Sequence, residues 1–255
     1  MAIRVVWNYN FLQEFQAFDR CLQCFHVLSF DTKFLGFLLA TPRFEKENIV
    51  YDDFRINVDS FKVIQLGITL SDESRNIGGT WEFNFSDFNE KNDFHHPNSI
   101  AFLKKNGLDF DEIKEKGIPS AKFAKKFRWV SFHANYDLGY LLKLVRRMSM
   151  PSSVVEFARI NGEIFGAIYD VKYMARYYSE LYYSEIGLAK MAKIFGIKRR
   201  GEAHHAGSDS LLTAEIYSKM ATFIGLEINS FEGYLYGISH RFIRCSTTVI
   251  FVMRP

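Results

Sequence analysis

With only three cysteines in 255 residues, the chain cannot build a disulfide framework, and the count fits a reducing compartment. Its 5 prolines and 16 glycines are too few for a linker-rich assembly. No apolar run approaches the roughly 20 residues of a membrane-spanning helix, and even Val249 to Met253 is short. Charge of neither sign dominates. The 32 Lys and Arg face 29 Asp and Glu for a net +3, which excludes a disordered polyelectrolyte or a histone-like basic tail. The opening MAIRVVWNYN has no sustained apolar segment and no small-residue cleavage pattern, so a protein inside the cell, away from membranes, is expected.

Large apolar side chains are what the sequence does have. Hydrophobic residues make up 48% and aromatics 16%, with 26 Phe, enough to fill one large core, so a single domain is expected. Cys21 and Cys24 form a lone C-x-x-C within a stretch where Phe11, Phe15, Phe18 and Leu22 recur at helical spacing. Without a second pair they read as ordinary helix residues, not a zinc or redox site. The sequon Asn84-Phe85-Ser86 carries no weight without a secretory route.

Periodicity orders the rest. After the first helix, His26 to Phe30 reads as a short strand and Asp31 closes it. Lys62 to Leu70 alternates Ile64, Leu66, Ile68 and Leu70 against Gln65, Gly67 and Thr69, and Trp81, Phe83 and Phe85 alternate next, so the polar SDESRNIGGT between them predicts an antiparallel hairpin. Residues 86 to about 125 read as short helices and loops. Trp129 to Phe132 resumes strand character, and Leu138, Leu141, Leu142, Val145 and Met148 trace an amphipathic helix closed by Pro151. Ala167 to Val171 is a further strand. Leu188, Met191, Ala192 and Phe195 mark a helix capped by Gly196, and Leu212, Ile216, Met220 and Phe223 mark another before Gly225. The order favours a mixed α/β sheet covered by helices.

Open sheets bind ligands at the ends of their strands, and three aspartates stand at such places. Asp31 follows the first strand, Asp137 opens a helix after a strand in WVSFHANYDLGYLL, and Asp209 opens another in HHAGSDSLLT, five residues after His204. Singly, each reads as a helix cap or turn residue. Together they are hard oxygen ligands of the kind that hold Mg²⁺ or Mn²⁺, with a histidine able to act as general base.

The blocks FDTKF, TPRF, VDSFKVIQLGITLSD, WEFNFSDFN, WVSFHANYDLGYLLKL, IYDVKYM and HHAGSDSLLT resemble, in order from about residue 8 to 236, those of the Caf-one/Pop-two deadenylases. These are nuclease subunits of the Ccr-Not complex within the DEDDh exonuclease superfamily. The resemblance implies a ribonuclease-H-like (DnaQ-like) fold over residues 1–236, with 237–255 as a family-divergent tail peripheral to it. It implies two divalent metals, Mg²⁺ or Mn²⁺, hydrolysis from the poly(A) RNA 3′ end, Ccr-Not subunits as partners, and residence in cytoplasm and nucleus. By position it assigns Asp31, Asp137 and Asp209 as catalytic metal ligands and His204 as the catalytic histidine. His205, where the family usually has Gln, reads as a neighbour of the site.

One departure bears on the chemistry. The family's first block is D-x-E, and here the glutamate position is Lys33, while Leu35 stands where the family has proline. AKFAKKFRWVSF is also shorter than its counterpart. An ammonium in place of the second carboxylate weakens a metal that depends on that ligand, because two unit charges 4 Å apart interact by about 4 kcal/mol at an effective dielectric of about 20. Lys33 can snorkel out, lose its proton on burial, or hold a phosphate as a point charge. Phe34 is a candidate base-stacking platform for RNA. The basic run Lys198, Arg199 and Arg200 reads equally as an RNA contact or a solvated helix end. Two functions stay open: a 3′ exoribonuclease with impaired catalysis, or an inactive RNA-binding or scaffold homologue of the same complex. A DNA-directed proofreading nuclease is the weaker third. Asp170 is expected outside the site, as a strand-end residue.

Overall fold

The computed structural model describes residues 2–42, 44–72, 74–120, 128–178 and 186–243, without the side chains of 128, 129 and 224–227. Six strands form one sheet in the spatial order β1, β4, β3, β2, β5, β6. They are β1 (Arg4–Val6), β2 (Val27–Phe34), β3 (Val63–Ser71), β4 (Ile77–Asn84), β5 (Arg128–Ser131) and β6 (Ile168–Asp170). The expected β3–β4 hairpin is present, β2 is antiparallel to β3, and β5 and β6 run parallel to β2. Helices α1 (Phe11–Leu22), α2 (Glu47–Ser60), α3 (Pro97–Lys105), α4 (Phe110–Lys116), α5 (Ala134–Arg146), α6 (Val154–Phe165), α7 (Val171–Ala175), α8 (Leu188–Ile194) and α9 (Ala206–Ile224) accompany it. This is the mixed, helix-flanked sheet the sequence predicts. None of these helices is long and apolar enough to cross a membrane.

The alternation along β3 has a different meaning from the usual one. Ile64, Leu66, Ile68 and Leu70 join Leu28, Phe30, Trp81 and Phe83 in the larger core cluster, together with residues of α1, α2, α5 and α6. The polar set is not left to water, as one face of an antiparallel sheet commonly is. β3 is buried along its whole length, because α9 lies on that face. The Thr69 hydroxyl meets that of Ser210 at 3.1 Å, and the Gln65 side-chain oxygen accepts the Ala206 N–H at 3.4 Å. A second cluster joins Val130, Tyr169 and Met174 to Met191, Leu212, Ile216 and Met220, under α7, α8 and α9.

Several boundaries move. β2 continues to Phe34, so Asp31 lies within the strand, not at its end, because pairing with β3 persists to a bulge at Lys33/Phe34. α5 stops at Arg146, Arg147 turns left-handed (φ 53°), and Met148 is exposed. The structure adds β1, α2, α6 and α7 to the elements assigned from periodicity. A capping signal for α6 was legible: Ser153 accepts the N–H of Glu156, the S-x-x-E spacing of a capping box.

The described part of the C-terminal stretch, 237–243, is not peripheral. Phe242 is 2% exposed, belongs to the larger core and meets Phe157 edge-on at 5.5 Å, while its N–H bonds the Gly233 carbonyl. An aromatic ring at this position gains more from the core than from water. Residues 244–255 and 121–127 lie outside the described residues.

Candidate active site

Strand periodicity puts residues i and i+2 on one face, and so Asp31 and Lys33 both turn toward α9. The Lys33 ammonium donates to Asp31 Oδ2 at 2.5 Å and to Asp209 Oδ2 at 2.6 Å, and its side chain is 13% exposed. Asp209, in the first turn of α9, also accepts at Oδ1 from the Arg199 guanidinium at 2.5 Å, and Arg199 continues to the Ser208 hydroxyl at 2.8 Å. Both oxygens of Asp209 are thus in ion pairs.

α9 reaches the sheet this closely because of Gly67, which pairs opposite Asp31. A Cβ there would sit 1.9 Å from the carbonyl oxygen of Ala206. Glu82 adds a second tie, accepting the Gly207 N–H at 2.8 Å. Gly67→Ala is therefore expected to push the α9 N-terminus off the sheet, at a cost of about 2 kcal/mol, and to part Asp209 from Lys33. A urea unfolding curve measures the first effect. A variant as stable as the unmodified chain would show that α9 can shift freely.

Asp137 approaches from α5 and is held separately. Its Oδ1 accepts the Thr32 N–H at 2.9 Å and the Thr32 hydroxyl at 2.5 Å, and its Oδ2 accepts the Ser131 hydroxyl at 2.6 Å. It is buried and adjoins the ion pairs, since its charge is felt at Asp31. His204 stands before α9 in a left-handed conformation (φ 65°), its ring edge on Phe102 at 4.6 Å. Asp209, Lys33 and Arg199 all act on its imidazole. His205 faces away, with Nε2 2.7 Å from the Asn106 carbonyl and Nδ1 3.7 Å from Glu82.

Asp170 is built for another task. Its carboxylate accepts backbone N–H groups of His133, Ala134, Lys172, Tyr173 and Tyr236 at 2.9–3.2 Å. It anchors the starts of α5 and α7.

Phe34 is half-buried and stacks on Tyr140 at 4.4 Å and Tyr136 at 5.6 Å, with Phe37 edge-on at 5.4 Å. Its ring serves an aromatic cluster of the protein itself. The basic run lies in the loop between α8 and α9, not at a helix end. Arg199 is committed to Asp209 and Arg200 is paired with Glu215, which leaves Lys198 as the exposed member. Sequence reasoning missed Arg199 as Asp209's partner, the Thr32 and Ser131 cradle, and Gly67. Nothing local marks the first and last, whereas Thr32 stands inside the D-x-K block.

Burial drives the Asp31 carboxyl well above the ordinary carboxylate range, with Asp209 and Asp137 adding to it and Lys33 opposing. Burial also disfavours the Lys33 charge, yet Asp31 and Asp209 outweigh it and hold the ammonium protonated more tightly than usual. For Asp209 burial is likewise overcome, by Lys33 and Arg199, and its pKa falls. Burial lowers His204, with Lys33 and Arg199 adding, so the imidazole is neutral at pH 7 and can accept a proton. Three carboxyl groups, Asp31, Asp137 and Asp209, thus face two cations, Lys33 and Arg199.

Burial pushes Asp137 up to about 6, against the hydrogen bonds from Ser131 and Thr32. A carboxyl whose pKa rises on folding supports the fold while protonated, and that support is lost as pH climbs from about 4 through about 6. Asp137→Asn is accordingly expected to lose less stability than the unmodified chain across this window. Urea midpoints at its two ends make the comparison, and parallel slopes would sink the assignment.

A central antiparallel hairpin, flanking parallel strands and carboxylates gathered from β2, α5 and α9 define a ribonuclease-H-like nuclease fold. The family described as CAF1 family ribonuclease matches residues 6–129. "Probable CCR4-associated factor 1 homolog 5" of Arabidopsis thaliana is 41% identical over 227 residues, covering 84% of this chain and 81% of its own length. "Poly(A) ribonuclease pop2" of Schizosaccharomyces pombe is 37% identical over 255 residues, covering 92% and 75%. The solved structure of S. pombe Pop2p in its Mg²⁺- and Mn²⁺-bound form superposes with a TM-score of 0.84 at 35% identity, covering 93% of this chain and all of that one. The chain belongs to the CAF1 ribonuclease family.

Divalent metal is thus used within the family, but the residues here do not fit it. Among the described residues no three His, Cys, Asp or Glu side chains are grouped to hold a metal ion. Lys33 stands between Asp31 and Asp209, and both oxygens of Asp137 are already hydrogen-bonded.

Proposed function

We propose that this chain acts on the poly(A) 3′ end of RNA as a CAF1-type subunit of the Ccr-Not complex, in nucleus and cytoplasm, with its hydrolytic step weakened by Lys33. The observation that carries this reading is the Lys33 ammonium within 2.6 Å of both Asp31 and Asp209, in a family whose relatives include a poly(A) ribonuclease. The first carboxylate, Asp31, and the last, Asp209, spend their charge on a resident cation. His204, neutral and exposed beside Asp209, keeps the protonation state a general base needs.

The test is the rate at which purified protein shortens a 3′ poly(A) substrate, compared with a non-adenylate RNA, at matched Mg²⁺ or Mn²⁺ and with Asp209→Ala as the control for contaminating nuclease. Slow shortening that is selective for adenylate and lost in the control is expected. Shortening as fast as that of a relative with an intact D-x-E block would overturn the impairment. The scaffold reading is favoured by the absence of a metal-holding group among the described residues, and it predicts RNA or partner binding with no shortening at all.

A further inference from the structure

We propose that Lys33 is a resident counter-ion occupying the place of a divalent cation between Asp31 and Asp209, so that this cleft is held together by an ammonium and draws no stability from Mg²⁺ or Mn²⁺. The inference goes beyond the proposed function, since it concerns how the cleft is held and not whether RNA is cut.

Lys33 links two elements 176 positions apart in the chain, β2 and the first turn of α9, through bonds of 2.5 and 2.6 Å. Gly67 and the Glu82–Gly207 bond bring those elements close enough that two carboxylates face each other in a largely buried space. Such a pair cannot stay ionised without a cation between or beside it. Lys33 takes the middle position and Arg199 the far oxygen of Asp209. The lysine stem is long enough to carry its charge to water, yet at 13% exposure it stays in the cleft, where two charge-assisted bonds offset its lost hydration. Asp137, the remaining carboxylate, accepts three hydrogen bonds from Thr32 and Ser131, which leaves only one lone pair, on Oδ2, for an added ion.

Thermal melts of the full chain in chelator and in millimolar Mn²⁺ test this. The unmodified protein is expected to melt at one temperature in both. Lys33→Met, which keeps the stem and removes the charge, leaves Asp31 without its cation and Asp209 with Arg199 alone. It is expected to melt roughly 6 °C or more lower in chelator and to recover most of that loss in Mn²⁺, which now binds the folded state. Lys33→Arg should keep the indifference to metal. The proposal is overturned if the unmodified midpoint rises with Mn²⁺, if Lys33→Met melts like the unmodified chain in chelator, or if its loss is not recovered by Mn²⁺. Should Lys33→Met fail to fold, the free Mn²⁺ electron paramagnetic resonance signal decides. A signal undiminished by the unmodified chain supports the proposal, and one diminished by that chain but not by Asp31→Asn refutes it. No nuclease readout enters, so a failure here is distinct from a failure of the proposed function.

Discussion

Lys33→Glu is expected to raise the rate of poly(A) shortening at least tenfold at limiting Mg²⁺ or Mn²⁺. The ammonium now lies within 2.6 Å of both Asp31 and Asp209, and the substitution replaces a positive charge by a negative one in the same pocket. Two unit charges 4 Å apart interact by about 4 kcal/mol at an effective dielectric of about 20. A tenfold rate change requires only about 1.4 kcal/mol, so even a heavily screened reversal is large enough to see. The variant also gathers a third carboxylate beside Asp31 and Asp209, the oxygen-rich set that divalent ions prefer. With less internal neutralisation it should melt lower than the unmodified chain in chelator, and regain stability as metal is added. The comparison runs over a range of metal concentrations, because mass action can hide weak binding, with Asp209→Ala as the inactive control. If the unmodified chain shortens poly(A) as fast as the variant at limiting metal, Lys33 does not impair catalysis.

Asp170→Ala is expected to cost about 4 kcal/mol or more and to lower the melting temperature by roughly 8 °C or more. Asp170 is fully buried and accepts five backbone N–H groups, which belong to the start of α5, the start of α7 and the segment at Tyr236. Its removal leaves these donors without an acceptor, the costly case for buried polar groups. Asp170→Asn should fare little better. Oδ1 takes His133, Lys172 and Tyr173 while Oδ2 takes Ala134 and Tyr236, so an amide in either orientation aims its NH₂ at donors. Chemical denaturation of both variants measures this. An Asn variant as stable as the unmodified chain would mean that water or a shifted backbone satisfies these groups, and that Asp170 does not organise the entry to α5, on which Asp137 sits.

Much of the sheet is legible in the residues. β3 and β4 announce themselves by alternation, and the polar turn between them names the hairpin. α2 was legible too, since Tyr51, Phe54 and Val58 in ENIVYDDFRINVDS stand at the i, i+3, i+7 spacing of one helix face and pack in the larger core, yet it is absent from the sequence reading. The end of β2 is set by the tertiary structure instead. Asp31 and Lys33 look like loop residues by propensity, and cross-strand pairing with Gly67 and Gln65 keeps them in the strand.

The site divides in the same way. Asp31, Asp137, Asp209, His204 and the D-x-K departure stand in blocks that can be read in a line of text, whereas the strand pairing that puts Lys33 on the same side as Asp31 emerges only in the structure. That Lys33 would reach inward to Asp209 instead of outward to water was undecided, as was the commitment of Arg199 to Asp209, of Thr32 and Ser131 to Asp137, and of Phe34 to its own aromatic neighbours. Local sequence determines what chemistry a side chain carries. Which partner meets it depends on how closely α9 descends onto β3 at Gly67, a distance set by packing between segments far apart in the chain and by the cost of leaving a buried charge alone.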